Sequence, residues 1–290
     1  MKRRRMNSKS SAVVWGTGIA LIALVLAIFA LVGVKKENVG ANVVKDSLAE
    51  IQKSKQMNVC VAEWPPFSIK DATTGKYSGV DIDAIEYAAK ALDAEVVYHD
   101  TTFGNAPAAV QSGTCDITTS LYITPNRSAA VDFTRPILYG GDAALVKKGD
   151  KRFKTIADLD QVGIKVATAT GESGDIFVKA NFTKSTISAI DVDSSDQTRF
   201  LLEVTSGRAD VGVADYNTIA NFAKVHPESE VIFADKPFNL SPDAYGLKYG
   251  DTNLLNFMNN TILTMQVNGI WDAIEKKYGA TAFHQNLDIK

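Results

Sequence analysis

Three places in this chain combine polar groups that could hold a small charged molecule. Arg127, in SLYITPNRSAAVDF, carries a planar fork of N–H donors that matches a carboxylate in bidentate fashion. Asp215, closing the run DVGVAD, is an acceptor-only group suited to an ammonium, and equally suited to capping the helix read over YNTIANFAK. Gly171, Glu172 and Ser173, in TGESGDIF, form a glycine turn into a helix start, where free backbone N–H groups and the positive end of the helix dipole favour an anion. An arginine or a glycine turn alone is ordinary surface furniture. Facing one another, they would clamp a carboxylate with an ammonium acceptor beside it. A fourth stretch, EWPPFSI, places Glu63 and Trp64 before Pro65 and Pro66; the prolines hold Trp64 extended, either as a core plug or as the wall of a cleft.

Catalysis finds less support. His99, His226 and His284 are scattered, with no Ser–His–Asp or Cys–His grouping and no metal-ligand spacing. The glycine run lacks the Lys-Ser/Thr of a phosphate loop. Glu63, Glu172 and Asp175 could form an acid–base set, but acids at helix starts mostly answer the dipole. The expectation is a binding protein and not an enzyme, with no cofactor and no metal. Cys60 and Cys115 both fall in predicted strands; an exported pair could bridge, and the preferred reading is two small buried hydrophobes.

The elements that must position these groups alternate. NVCVAEW and AEVVYHD read as strands, and Ile82, Ile85, Ala89 and Leu92 recur at helical spacing between them. AAVQSGTCDITTSL, a helix end, a glycine stop and a strand, is echoed by LEVTSGRADVGVAD: Val110, Ser112, Gly113 and Asp116 fall on Val204, Ser206, Gly207 and Asp210. Strand–helix alternation predicts parallel sheets covered by helices, and two echoing halves predict two α/β lobes. Ligands of such sheets sit beyond the carboxyl ends of strands. That rule selects Glu63 and Trp64, Ser120 and Tyr122, Gly171 to Ser173, and Asp215, and it moves Trp64 toward a cleft wall.

The composition, 290 residues with 46% hydrophobic, 22% charged and a formal net charge of −2, is globular and offers no basic surface for nucleic acid. Ala12 to Val34 is an uncharged apolar run long enough to cross a bilayer. The heavier basic cluster, Lys2 to Arg5, precedes it, so the N-terminus is expected in the cytoplasm and the remainder outside. Val39-Gly40-Ala41 could be a cut site, but two lysines separate it from a run longer than a signal-peptide core; a retained anchor is expected.

From about Ser47 onward the chain resembles the extracytoplasmic solute-binding proteins of polar amino-acid ABC transporters (bacterial family 3). The resemblance rests on EWPPFSI…GKYSGVDIDAIEYAAKAL, AAVQSGTCDITTSLYITPNRSAAVDFTRPILYGG, ALVKKGD, KVATATGESGD, GRADVGVAD and AYGLKYGDTNLLNFMNNTI, in the family's order. It implies a two-lobe periplasmic-binding-protein-like fold of type II, with an amino acid trapped as the lobes close and delivered to a permease in the same membrane. It implies that Arg127 and Ser173 take the α-carboxylate, that Asp215 takes the α-ammonium, and that Trp64 stacks on the side chain. Ser120 and Tyr122 would supply polar contacts, and Phe103 would line the side-chain pocket. Val61 stands where the family often has Asp, and Tyr122 replaces a small Thr or Ser; both speak against a lysine- or arginine-type ligand. Dehydratases acting on prephenate-like acids share the fold, with a Glu acid in the turn where this chain has Glu172 or Asp175, but without their turn motif here. An extracytoplasmic amino-acid sensor is the other alternative. The expected division is a cytoplasmic segment 1–11, an anchor 12–34, a linker 35–57, lobe one 58–145 plus 246–290, and lobe two 146–245. LVK at 145–147 and YGL at 245–247 are the expected crossings, because AYGLKYGD echoes AALVKKGD.

Overall fold

The structure is a computed structural model that describes residues 46–280, apart from Ser195. The expected cytoplasmic segment, the anchor and residues 35–45 of the linker lie outside the described residues, as do residues 281–290. No helix among the described residues is long and apolar enough to cross a membrane.

The rest of the expected linker is folded. Asp46 accepts a hydrogen bond from the Ala49 N–H and caps helix α1 (Ser47–Ser54), which ends on Lys55 in the left-handed region. Ile51 is buried in the core, and Ser47 N–H donates to Asp251, so this segment is tied down at both a polar and an apolar point. Strand β1 (Gln56–Val61) follows directly. The short pair β2 (Ile69–Lys70) and β3 (Tyr77–Ser78) leads to α2 (Val80–Ala91), β4 (Glu95–Asp100), α3 (Ala106–Ser112), β5 (Ile117–Tyr122), α4 (Pro125–Ser128) and β6 (Val131–Phe133). The long strand β7 (Leu138–Lys147) opens a second series: β8 (Lys165–Ala169), α5 (Ser173–Asn181), β9 (Thr186–Ile190), α6 (Leu202–Thr205), β10 (Val211–Asp215), α7 (Tyr216–Val225) and β11 (Ser229–Ile232). The equally long β12 (Phe238–Lys248) returns, and α8 (Thr252–Val267) and α9 (Ile270–Tyr278) close the described chain.

The strand order is β4-β1-β5-β12-β7-β10-β8-β9, with β6 joined to β12 and β11 to β7. β4, β1 and β5 are parallel, and so are β10, β8 and β9; the long strands β12 and β7 run antiparallel between the two sets. Each end of the sheet has its own core. Val59, Ile82, Ile85, Ile117, Leu247, Leu254, Met258, Ile262 and Met265 pack in one. Val146, Val166, Val178, Val211 and Val213, and on the other side Leu145, Phe200, Leu201 and Ile219, pack in the other. Helix α8 buries Leu254, Met258, Ile262 and Met265, one helical face, in the first of these.

The echo between the halves extends to hydrogen bonds. Gly113 and Gly207 both take positive φ (78° and 79°) after a helix, as a left-handed stop requires of a residue without Cβ. Asp116 then accepts from the Asn58 N–H at 2.9 Å and donates its own N–H to the Asn58 carbonyl. Asp210 does the same with Lys165, accepting at 2.9 Å and donating to its carbonyl. The aspartate stitches the start of one parallel strand to the start of its neighbour in each half. The crossing strands also end alike, on Gly149 and Gly250, both at φ 83°.

The expected crossing residues lie past the point of exchange. Leu145 and Val146 already pair with β10 and β11, while Tyr245 and Leu247 pair with β5 and β6. β7 and β12 pair with each other only over Leu138–Asp142 and Phe238–Asp243. The Lys-x-Gly-Asp echo therefore marks where these strands end and not where they pass between halves.

Cys60 and Cys115 form a disulfide with Cα atoms 5.6 Å apart, which corrects the preference for two separate buried thiols. They lie beside Val110 and Val131, where β1 and β5 run side by side. Replacing both with Ala is expected to lower the unfolding free energy of the oxidised chain by about 2–5 kcal/mol, since the loop they close spans 55 residues. Urea unfolding of the two forms measures it, and a change below about 0.5 kcal/mol would show the bridge to be structurally idle.

Candidate functional site

The carboxyl ends of the parallel strands converge from both halves on one cleft. Trp64, Phe103, Tyr122, Arg127, Glu172, Ser173, Asp215, Thr218 and Asp243 line it. The open space is about 20 Å³, room for about one water, so the halves are shut on each other.

Asp215 is the point where they meet. The Trp64 indole N–H donates to its Oδ1 at 2.7 Å, and the Tyr122 hydroxyl donates to its Oδ2 at 2.6 Å. The backbone N–H groups of Asn217 and Thr218 also donate to Oδ1, at 2.8 and 3.2 Å. Helix cap and site acid are thus one and the same residue. Burial raises its pKa and these donors hold it down. Trp64 likewise fills both of its readings: it is buried in the first core, stacked on Phe67 at 4.3 Å and edge-on to Phe103 at 6.4 Å, with its N–H turned into the cleft. Tyr122 can lie over β7 because Gly140 offers no Cβ there.

Arg127 is 6% exposed and spans the same divide. Thr124 caps the single turn of α4 by accepting from the Arg127 N–H. The guanidinium donates to the carbonyls of Tyr122 (3.1 Å) and Phe103 (3.2 Å) in one half and of Gly171 (3.3 Å) in the other. The backbones touch beside it: a Cβ on Gly104 would stand 2.8 Å from the Thr170 carbonyl oxygen, so only glycine allows this approach. Asn221 adds a further link, donating to the Pro65 carbonyl at 3.0 Å.

The turn at residues 171–173 is set by Asp175, which accepts from the Gly171 N–H, the Thr168 hydroxyl and Lys179 Nζ and so has no part in an acid–base set facing the cleft. Ser173 donates to Asp142 at 2.7 Å, as does Asn239. Glu172 is 7% exposed and its Oε1 has no hydrogen-bond partner. Glu63 is exposed and lines a neighbouring cavity, not the cleft itself. Ser120 is displaced from its expected role: its N–H and hydroxyl both engage the buried Asp81 at the start of α2, at 3.0 and 2.7 Å. One pleat repeat before Tyr122 on the same strand face, it lies too deep to reach the cleft. Val61 is also buried in the first core, away from the cleft.

Two acids escaped the strand-end rule, Asp243 in the cleft wall and Asp142 behind Ser173. Both sit within the long antiparallel strands, Asp243 opposite Tyr122 and Asp142 opposite Asp215. Their signal was in the chain: GGDAALVKKGD and SPDAYGLKYGD carry Asp the same distance before the closing glycine. Thr218, one turn into α7, was missed for want of any marker.

Burial dominates the electrostatics. It pushes Asp142 up to about 7, Glu172 up to about 8 and Asp243 well above the usual carboxylate range, with Asp215 adding repulsion to each. An acid raised by folding keeps a proton that the unfolded chain releases, so its contribution to stability is lost as pH rises toward the raised value. The ligand-free chain is therefore expected to lose stability between about pH 5 and about pH 8, by up to about 1.4 kcal/mol per pH unit for each such group. Glu172→Gln should flatten the upper part of that slope. Urea unfolding across the range tests it, and stability rising with pH would contradict the burial of these acids.

The comparisons with known proteins agree with this geometry. The family described as bacterial extracellular solute-binding proteins, family 3, matches residues 57–281. A probable histidine-binding protein of Neisseria gonorrhoeae is 28% identical over 228 residues, covering 76% of this chain and 81% of its own. A cyclohexadienyl dehydratase of Pseudomonas aeruginosa is 25% identical over 185 residues, covering 63% and 67%. Among solved structures, an ancestral amino acid-binding protein described as a precursor of cyclohexadienyl dehydratase superposes with a TM-score of 0.70 at 33% identity, over 80% of this chain and 99% of that one. With two α/β halves joined by paired long strands and the family matched over residues 57–281, the chain belongs to the bacterial extracellular solute-binding proteins of family 3.

Proposed function

We propose that this protein captures a free α-amino acid in the cleft and delivers it to an ABC transporter permease. The carrying observation is that a buried cation, Arg127, and a half-buried acid, Asp215, face one cleft from different halves of the chain. A zwitterion leaving water needs an opposite charge at each end, because an unpaired buried ion costs several kcal/mol. Arg127 would take the carboxylate together with Ser173 and the Gly171 turn, Asp215 the ammonium, and Trp64 and Phe103 would flank the side chain. In the shut cleft Trp64 and Tyr122 donate to Asp215; an entering ammonium would share or displace those donors. The lobes of this reading meet where β7 and β12 pair with each other, over Leu138–Asp142 and Phe238–Asp243, so both boundaries fall a few residues before the 145/146 and 245/246 divisions expected from LVK and YGL.

A screen of the full chain against the common amino acids by thermal shift tests the proposal. A ligand at a hundred times its dissociation constant should stabilise by about 2.7 kcal/mol. Arg127→Ala should weaken the binding of that ligand by on the order of 2–5 kcal/mol. Affinity within about twofold of the parent would sink the clamp. One observation favours a second reading, a dehydratase: Glu172 is buried, raised to about 8 and unpartnered at Oε1, the state of a proton donor. An enzyme would consume its ligand during the screen and show product, whereas a binding protein returns it unchanged.

The apolar run Ala12–Val34 and its basic flank support a single-pass anchor with the binding domain outside the cell membrane. A tether of that kind keeps the domain near any transporter in the same membrane at an effective concentration independent of the bulk volume. The chain is expected to sediment with membranes through a high-salt wash and to keep an N-terminus upstream of Val34. A mature N-terminus near Asn42 would overturn the anchor.

A further inference from the structure

The charges of the cleft do not balance. Arg127 is the single cation among its lining residues, against Glu172, Asp215 and Asp243, with Asp142 directly behind Ser173. Asp215 is answered by four donors. Glu172 Oε1 and Asp243 Oδ2 are buried with no hydrogen-bond partner, on residues 7% and 1% exposed. A buried acceptor without a donor carries its full desolvation penalty, and here two of them are held at the cleft by a helix start and by a central strand. A zwitterion adds one charge of each sign and leaves that surplus unanswered. A ligand with one more cation reduces it.

There is also room for the extra group. Phe103, Glu172 and Thr218 line both the cleft and an adjoining cavity of about 300 Å³. Pro65, Phe103 and Phe222 give that cavity apolar walls suited to a methylene stem, while Glu63 and Asp196 add carboxylates; among the described residues no Lys or Arg lines it, and the His226 ring there is engaged by Glu228. Gln197 presents a buried amide there whose oxygen and nitrogen both lack partners. We propose that Glu172, with Glu63 and the Gln197 amide oxygen beyond it, forms a distal subsite for a second cation, so that the captured molecule is an α-amino acid whose side chain ends in an ammonium or guanidinium. The proposal rests on the amino-acid-binding reading of the same cleft. It reverses the expectation drawn from Val61, which is packed in the first core and lines neither cavity.

Calorimetric titration of the full chain with L-arginine and L-lysine, and with their uncharged counterparts L-citrulline and L-norleucine, tests it. The charged member of one pair should bind at least about 100-fold more tightly, because the uncharged one leaves buried acceptors unpaired. Glu172→Gln should lower that ratio by about tenfold or more, and Glu63→Gln, at the exposed rim and without consequence for packing, by about threefold. Uncharged counterparts binding as well as the charged ones would overturn the subsite, and so would a ratio unchanged in both variants. Preference for a neutral or acidic amino acid would overturn the subsite while leaving amino-acid capture intact. If no free amino acid binds at all, the capture reading itself falls.

Discussion

A carboxylate taken out of water has to be surrounded by donors, and no single half of this chain surrounds Asp215. Its own helix supplies two backbone N–H groups, and the other half supplies an indole N–H and a phenol. Everything nearby is arranged so that those two donors can arrive. Trp64 is stacked on Phe67 in one core and cannot swing freely; Tyr122 has its place over β7 because Gly140 has no side chain. Gly104 lets the two backbones touch beside Arg127. Parting the halves would strip Asp215 of half its donors and return it to water, where it needs none. The contact therefore exists only while the two halves are together.

The two long antiparallel strands make this possible. Each begins or ends in a different core, and they pair with each other only over a short middle stretch. A hinge made of two extended strands absorbs rotation in a few φ/ψ angles while the cores on either side stay packed. The same strands carry Asp243 into the cleft wall, opposite the last residue of β5, and Asp142 behind Ser173, opposite the last residue of β10. The floor of the site is thus built from the two strands that join the halves.

Much of this is legible in the sequence. Parallel strands ending in polar residues, the repeated Ser-Gly-x-x-Asp and the family's motifs led to Arg127, Tyr122, Glu172, Ser173 and Asp215, all of which line the cleft. What stayed hidden has physical reasons. Ser120 and Tyr122 share a strand face, and only depth along the strand separates the one that serves Asp81 from the one that reaches the cleft. Asp142 and Asp243 lie in strands read as connections, and the echo that carries them, GGDAALVKKGD and SPDAYGLKYGD, marked the paired strands and not the site. The disulfide joins cysteines whose spacing says nothing of proximity until β1 and β5 are known to be neighbours. The helix Ser47–Ser54 is short and polar on most sides, and only its contacts with Asp251 and the core make it structure.

The charge surplus and the closure are one problem. In the shut cleft the acids are buried close to one another, and burial holds protons on Glu172 and Asp142 near neutral pH. Opening answers the same stress differently, by letting water in. A ligand cation is the third answer, and the only one that keeps the halves together with the carboxylates charged. Each answer removes the same unfavourable energy, so they compete: whatever supplies positive charge to Glu172 and Asp243 stabilises the shut form relative to the open one by its difference in affinity for the two. A neutral side chain of equal size would fill the space without relieving the acids, and closure around it would have to rest on the Arg127 and Asp215 contacts alone. Selectivity for charge and the drive to close then arise from the same buried carboxylates.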